Sequence, residues 1–150
     1  MTVADRAALA DLVHRYAAAV DDRRFDYAVT LFATDGELVV PDPPRSLAPV
    51  TRHIGHPAIR DAVAVVAGVD RTEHAIVGEV YTASGPGRAV GRITCVAHHW
   101  SPRGERIGDV VWHLQYADEY VRTGQQWLFS RRALAINAIE TRTVRRLRPL

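Results

Sequence analysis

Cysteine occurs once in the chain, at Cys95, so no internal disulfide can form and a reducing compartment is expected. A single thiol of this kind is more often a small buried hydrophobe than a nucleophile. Lysine is absent: all 19 basic residues are arginine, and against 17 acidic residues they leave a net charge of +2. That balance argues against the strongly basic surface on which nucleic-acid binding depends. The arginine-dense stretch from Arg142 to Arg148 has no interleaved aromatics and is expected to be a solvated basic tail, residues 142–150. No apolar run approaches the roughly 20 residues that span a bilayer, and Met1 to Arg6 lacks the basic and apolar regions of a secretory signal. A cytoplasmic protein without membrane or nucleic-acid partners is therefore expected. Repeats, low-complexity segments and linkers are also missing, so residues 1–150 are expected to form one domain.

What is present is a change of period along the chain. Leu9, Leu12, Val13, Tyr16, Ala17 and Val20 fall on one face of a helix over Val3 to Val20, with Thr2 and Asp5 spaced as a capping box. A second, short helix is predicted from Asp26 to Ala33, and a short strand from Glu37 to Val40. Pro41, Pro43, Pro44 and Pro49 then predict a loop, which at that length suggests a lid. Pro57 can open a third helix carrying Ile59, Val63 and Val66. Four strands follow: Glu73 to Ala83, Arg88 to Trp100, Arg106 to Arg122 and Gln126 to Ala138, separated by short Gly- or Pro-bearing turns. Helices gathered before a run of long hairpins predict an α+β fold, a curled antiparallel sheet with helices over one face and a pocket between them.

Alternation along strands assigns residues to faces. In the second long strand Arg92, Thr94, Val96, His98 and Trp100 share one face, and Cys95 and His99 the other. Trp112, Leu114, Tyr116 and Asp118 share a face of the third, as do His74, Ile76, Gly78 and Val80 of the first. The expected pocket face holds His74, His98, Trp112 and Tyr116, with Asp21 at its mouth. His99 and His113 are then exterior, and an outer face near Cys95, Val111 and Trp127 would be apolar enough for self-association.

Four stretches carry a family resemblance: Tyr16 to Asp21 followed by Phe25-Asp26; Leu31 to Gly36; Thr72-Glu73-His74; and Tyr116 to Phe129. In them the chain resembles the SnoaL-like group of the nuclear-transport-factor-like superfamily, most closely the branch of scytalone dehydratase and hexachlorocyclohexane dehydrochlorinase. The resemblance implies a cone-shaped α+β fold, a cofactor-free enzyme and a homo-oligomer, trimer or dimer. It implies that Asp21 and His74 are a catalytic dyad and that His98 is a second catalytic histidine. Tyr16, Val40, Trp112 and Tyr116 would contact substrate, and Arg122 falls near an arginine implicated in the dehydrochlorinase. Val20 stands where scytalone dehydratase has a tyrosine, so the substrate need not be scytalone.

Histidine is the side chain whose unperturbed pKa suits proton removal near neutrality, and a paired carboxylate fixes its tautomer. The expected function is thus dehydratase-type elimination from a small apolar, cyclic or polyketide-like molecule. The alternatives are a SnoaL-type polyketide cyclase, a ketosteroid-isomerase-like catalyst with a carboxylate base, or a non-catalytic binding module. No two of the seven histidines are spaced to share a metal from one helix or strand, so neither metal nor cofactor is expected.

Overall fold

In the computed structural model, which describes residues 1–149, helix α1 spans Val3–Asp21 and is closed at its start as its sequence predicts. Thr2 accepts from the Asp5 backbone amide at 3.1 Å, and Asp5 accepts from the Thr2 amide at 2.9 Å. Leu9, Leu12, Val13, Tyr16, Ala17 and Val20 are all buried. Helix α2 is shorter than predicted, Phe25–Thr30, because Phe32 already belongs to a strand, β1, which runs from there to Asp42.

The proline stretch is not a lid loop. Strand β1 turns back through Pro43-Pro44, joined by a cis peptide bond, into β2, Ser46–Ile54. Pro49 is tolerated within β2 because that strand is the edge of the sheet, where an amide donor can be missing without breaking a ladder. Helix α3, His56–Ala64, begins with Pro57 in its first turn, and a single 3-10 turn, Val65–Gly68, leads to the long strands. These are β3 (Arg71–Gly85), β4 (Arg88–Arg103), β5 (Arg106–Thr123) and β6 (Gln126–Val144). The last strand extends past Ala138 into the arginine-rich stretch, whose further residues fold back: Arg71 donates to the Arg148 and Pro149 carbonyls at 3.0 and 2.7 Å.

The fold is α+β. The six strands form one mixed sheet in the order β2-β1-β6-β5-β4-β3, and it is not closed into a barrel. All pairs are antiparallel except β1 with β6, which are parallel. The helices cover the concave side, where Leu9, Val13, Phe32, Ile59, Ile93, Leu114 and Phe129 make the core. Among the described residues no helix is long and apolar enough to cross a membrane.

Two local features settle which residues face this core. Gly104, at φ 62°, opens a two-residue turn that pairs Arg103 with Arg106, and this register places Ala97 opposite Trp112 and Cys95 opposite Leu114. The inner face of β4 therefore carries Ile93, Cys95, Ala97 and His99, and the expectation that His98 looks inward is corrected. A β-bulge between Ile76 and Gly78 then reverses the alternation of β3, so Gly78 and Val80 do not continue the face of His74 and Ile76. Cys95 is fully buried on the inner face, and Trp127 packs in the same core. The outer apolar patch expected around Cys95, Val111 and Trp127 does not exist in that form.

Candidate active site

The last residue of α1, Asp21, meets the start of β3. Its Oδ1 accepts from His74 Nδ1 at 2.6 Å and from the Thr72 hydroxyl at 2.9 Å, while Oδ2 accepts from the His74 backbone amide at 2.8 Å. A carboxylate at a helix C-terminus opposes the helix dipole, and α1 has no basic residue in its last turn to offset this. Burial further disfavours the charge. The donors of His74 and Thr72 outweigh both, and hold the Asp21 carboxyl below the usual carboxylate range. Because a carboxylate only accepts, His74 carries its proton on Nδ1, and in the neutral ring Nε2 keeps a lone pair.

His74 lines a cavity of about 440 Å³ between the inner sheet face and the helices. The walls are apolar, among them Val20, Leu38, Val63, Leu114 and Leu134, and no arginine, aspartate or glutamate is among the lining residues. Of the residues expected to touch substrate, Tyr16, Val40, Trp112 and Tyr116 all line this space. Burial pushes the Tyr16 phenol up to about 12 and the Tyr116 phenol well above its ordinary value, so both are protonated donors at neutral pH.

Two further imidazoles line the cavity, those of His53 on β2 and His99 on β4, and His99 is the one whose ring meets that of His74. Its ring lies 6.4 Å from that of His74 and 4.6 Å from Trp112, centre to centre. His99 Nδ1 donates to the Val110 carbonyl at 2.9 Å, which leaves Nε2 as the acceptor. Desolvation lowers its pKa, more than the Val110 carbonyl raises it, so the ring is neutral near pH 7. His98, expected here, lies on the other face: it stacks on Trp100 at 5.1 Å and pairs through Nδ1 with Asp109 at 2.7 Å. His99 was legible in principle, because a Gly-first two-residue turn at Gly104-Glu105 fixes which of two adjacent histidines shares a face with Trp112.

Behind Tyr16 and Tyr116 lies a charge pair that sequence reasoning did not single out. Arg132, fully buried, makes a bidentate bridge to Asp118 at 2.8 and 2.6 Å, and Tyr120 donates to the same carboxylate at 2.7 Å. The guanidinium carbon lies 4.5, 4.1 and 4.2 Å from the ring centres of Tyr16, Tyr116 and Phe129. Burial alone would lower the Arg132 pKa, but Asp118 more than reverses this. Arg122 is remote from the cavity, where it donates to Gln125 at 3.1 Å and lies 3.5 Å from Asp5. Among the described residues no group of three or more His, Cys, Asp or Glu could hold a metal ion.

The family model described as a SnoaL-like domain matches residues 1–133. No protein of curated function matches the chain. Among solved structures, a protein named as a scytalone dehydratase from Novosphingobium aromaticivorans superposes with a TM-score of 0.79 at 21% identity, covering 99% of this chain and 94% of that one. A hexachlorocyclohexane dehydrochlorinase from Novosphingobium barchaimii gives 0.78 at 19% identity, covering 99% and 97%. A protein from Kribbella flavida gives 0.74 at 26% identity, covering 91% and 93%.

Proposed function

The chain belongs to the SnoaL-like domain family, and from that premise we propose that it is a cofactor-independent lyase that eliminates water or a comparable leaving group from a small, uncharged cyclic molecule. The observation that carries this reading is the 2.6 Å bond between Asp21 and His74 at the wall of an apolar cavity. His74 Nε2 removes a proton from a carbon made acidic by a neighbouring carbonyl. The C–H electron pair becomes the new double bond, and the bond to the leaving hydroxyl breaks on the next carbon. The proton held by His74 completes the departing water. Asp21 keeps the ring in the right tautomer and stabilises the imidazolium formed on the way. The protonated phenols of Tyr16 and Tyr116 suit the oxygen that gains charge, and His99 Nε2 suits a substrate hydroxyl.

A carboxylate base, as in the cyclase and ketosteroid-isomerase alternatives, is disfavoured here. Both oxygens of Asp21 are already engaged by three donors, whereas the Nε2 of His74 has no protein partner among the described residues. The dehydrochlorinase and dehydratase names of the superposing structures agree with elimination.

The test is turnover of a bicyclic β-hydroxy ketone such as 3-hydroxy-1-tetralone, followed by the absorbance of the aromatic product. His74→Gln is expected to lose about 100-fold or more, the scale of positioned acid–base catalysis. Undiminished turnover in that variant removes His74 from the reaction.

A further inference from the structure

Arg23 is the only non-glycine residue among those described with a positive φ, 60°. It follows α1 and its C-cap residue Asp22, the place where glycine is favoured because a left-handed backbone costs other residues roughly 1–2 kcal/mol. Such strain persists where the surroundings over-determine it. Here the side chain has a specific task. Arg23 Nη1 donates to the Thr72 hydroxyl at 3.1 Å, and Nη2 donates to the Val69 carbonyl at 3.0 Å.

A guanidinium has no acceptor, and a hydroxyl has one proton. With Arg23 donating into Thr72 Oγ1, the Thr72 proton is left to point at Asp21 Oδ1, 2.9 Å away. The same oxygen holds the His74 ring. We propose that Arg23 and Thr72 form a positioning arm that fixes the orientation and charge of Asp21, and through it the His74 ring, an inference that rests on the reading of Asp21 and His74 as the acid–base pair. Neither residue lines the cavity, and neither need touch the substrate. The arm also ties Val69, which does line the cavity, to the end of α1, so wall and dyad are fixed by one side chain.

The arm opposes two influences that would neutralise Asp21, namely burial and the negative end of α1. Removing either member should raise the proton affinity of the Asp21 carboxyl. Arg23→Gly separates positioning from structure, because it relieves the left-handed backbone while removing the arm. Thr72→Ser keeps the hydroxyl, and Thr72→Val removes it at nearly constant size.

The experiment is carbon-13 NMR titration of the aspartate carboxyls in the wild type and these three variants, with thermal unfolding in parallel. The Asp21 midpoint should rise by about half to one pH unit in Thr72→Val, which loses a charge-assisted bond to the carboxylate, and by a smaller amount in Arg23→Gly, which loses the donor that orients the Thr72 proton. It should return to the wild-type value in Thr72→Ser, and all three variants should still unfold in a single cooperative transition. An Asp21 midpoint that stays put in Thr72→Val and Arg23→Gly overturns the arm, whatever stability those variants lose. The dyad is read separately, from the nitrogen-15-coupled Nδ1–H proton of His74, expected downfield in the wild type and lost in Asp21→Asn. If that signal is absent from the wild type, the acid–base reading falls and the arm with it.

Discussion

Arg132 and Asp118 illustrate how a single pair of residues can hold a cavity wall in place. Taking both charges out of water is costly, and only their bidentate bridge, the Tyr120 hydroxyl and the aromatic faces around the guanidinium compensate. Arg132→Met leaves an uncompensated buried carboxylate and is expected to cost about 3–5 kcal/mol. Replacing both partners, Arg132→Met with Asp118→Leu, should cost less than the sum of the two single changes. Urea denaturation of the four proteins in a double-mutant cycle measures the difference, and additive losses would mean that the pair is not coupled. The sequence offered little warning of this pair. Ser130-Arg131-Arg132-Ala133 looks like an ordinary charged strand segment, and only the pairing of Asp118 with Arg132 across β5 and β6 reveals one arginine as interior. The pairing of Asp21 with His74 was expected from the family resemblance, carried by the stretches Tyr16 to Asp21 and Thr72-Glu73-His74, and not from either residue alone. His98 and His99 are adjacent on one strand, so their assignment depended on register, which residue type alone does not carry.

Helix α1 is the element that joins capping to long-range structure. Asp5 closes the capping box with Thr2 and also accepts from the Trp127 indole at 3.1 Å, linking the start of the chain to β6. The Thr2 amide and hydroxyl, then the indole, lower the Asp5 pKa to about 2. A carboxyl depressed by folding contributes stability above its unfolded pKa of about 3.9, and loses that contribution as pH falls towards the folded value. Wild-type stability should therefore decline between about pH 4 and pH 2 more steeply than that of Asp5→Asn, which lacks the titrating group. Parallel pH–stability curves in that window would exclude the linkage. At this scale the long hairpins were readable from Gly-bearing turns and β-rich runs. The β1–β2 hairpin was not, because four prolines in one stretch outweigh the weaker strand signal of an exposed edge. The bulge in β3 was equally hidden, since an inserted residue leaves no mark of its own in composition.

For the molecule as a whole, the cavity of about 440 Å³ determines which ligands fit. Its lining includes no ionised side chain of fixed charge, so a neutral bicyclic ketone is compatible and a carboxylate would be buried without a partner. Thermal unfolding with 1-tetralone should show a melting temperature that rises with ligand concentration, by about 1.4 kcal/mol of stabilisation per tenfold above the dissociation constant. The analogue bearing a ring carboxylate should have no such effect. Equal stabilisation by both would mean that binding occurs outside this cavity.

The strand order has a consequence for how the protein comes into being. β6 is the last of the six strands to leave the ribosome, yet it sits between β1 and β5 and alone bridges the two halves of the sheet. Until residues 126 to 144 emerge, a nascent chain holds two separate ribbons, β1–β2 and β3–β4–β5, with no ladder between them. Asp21 and His74 meet on the β3 side of that divide, while Leu134 of their cavity wall belongs to the strand laid last.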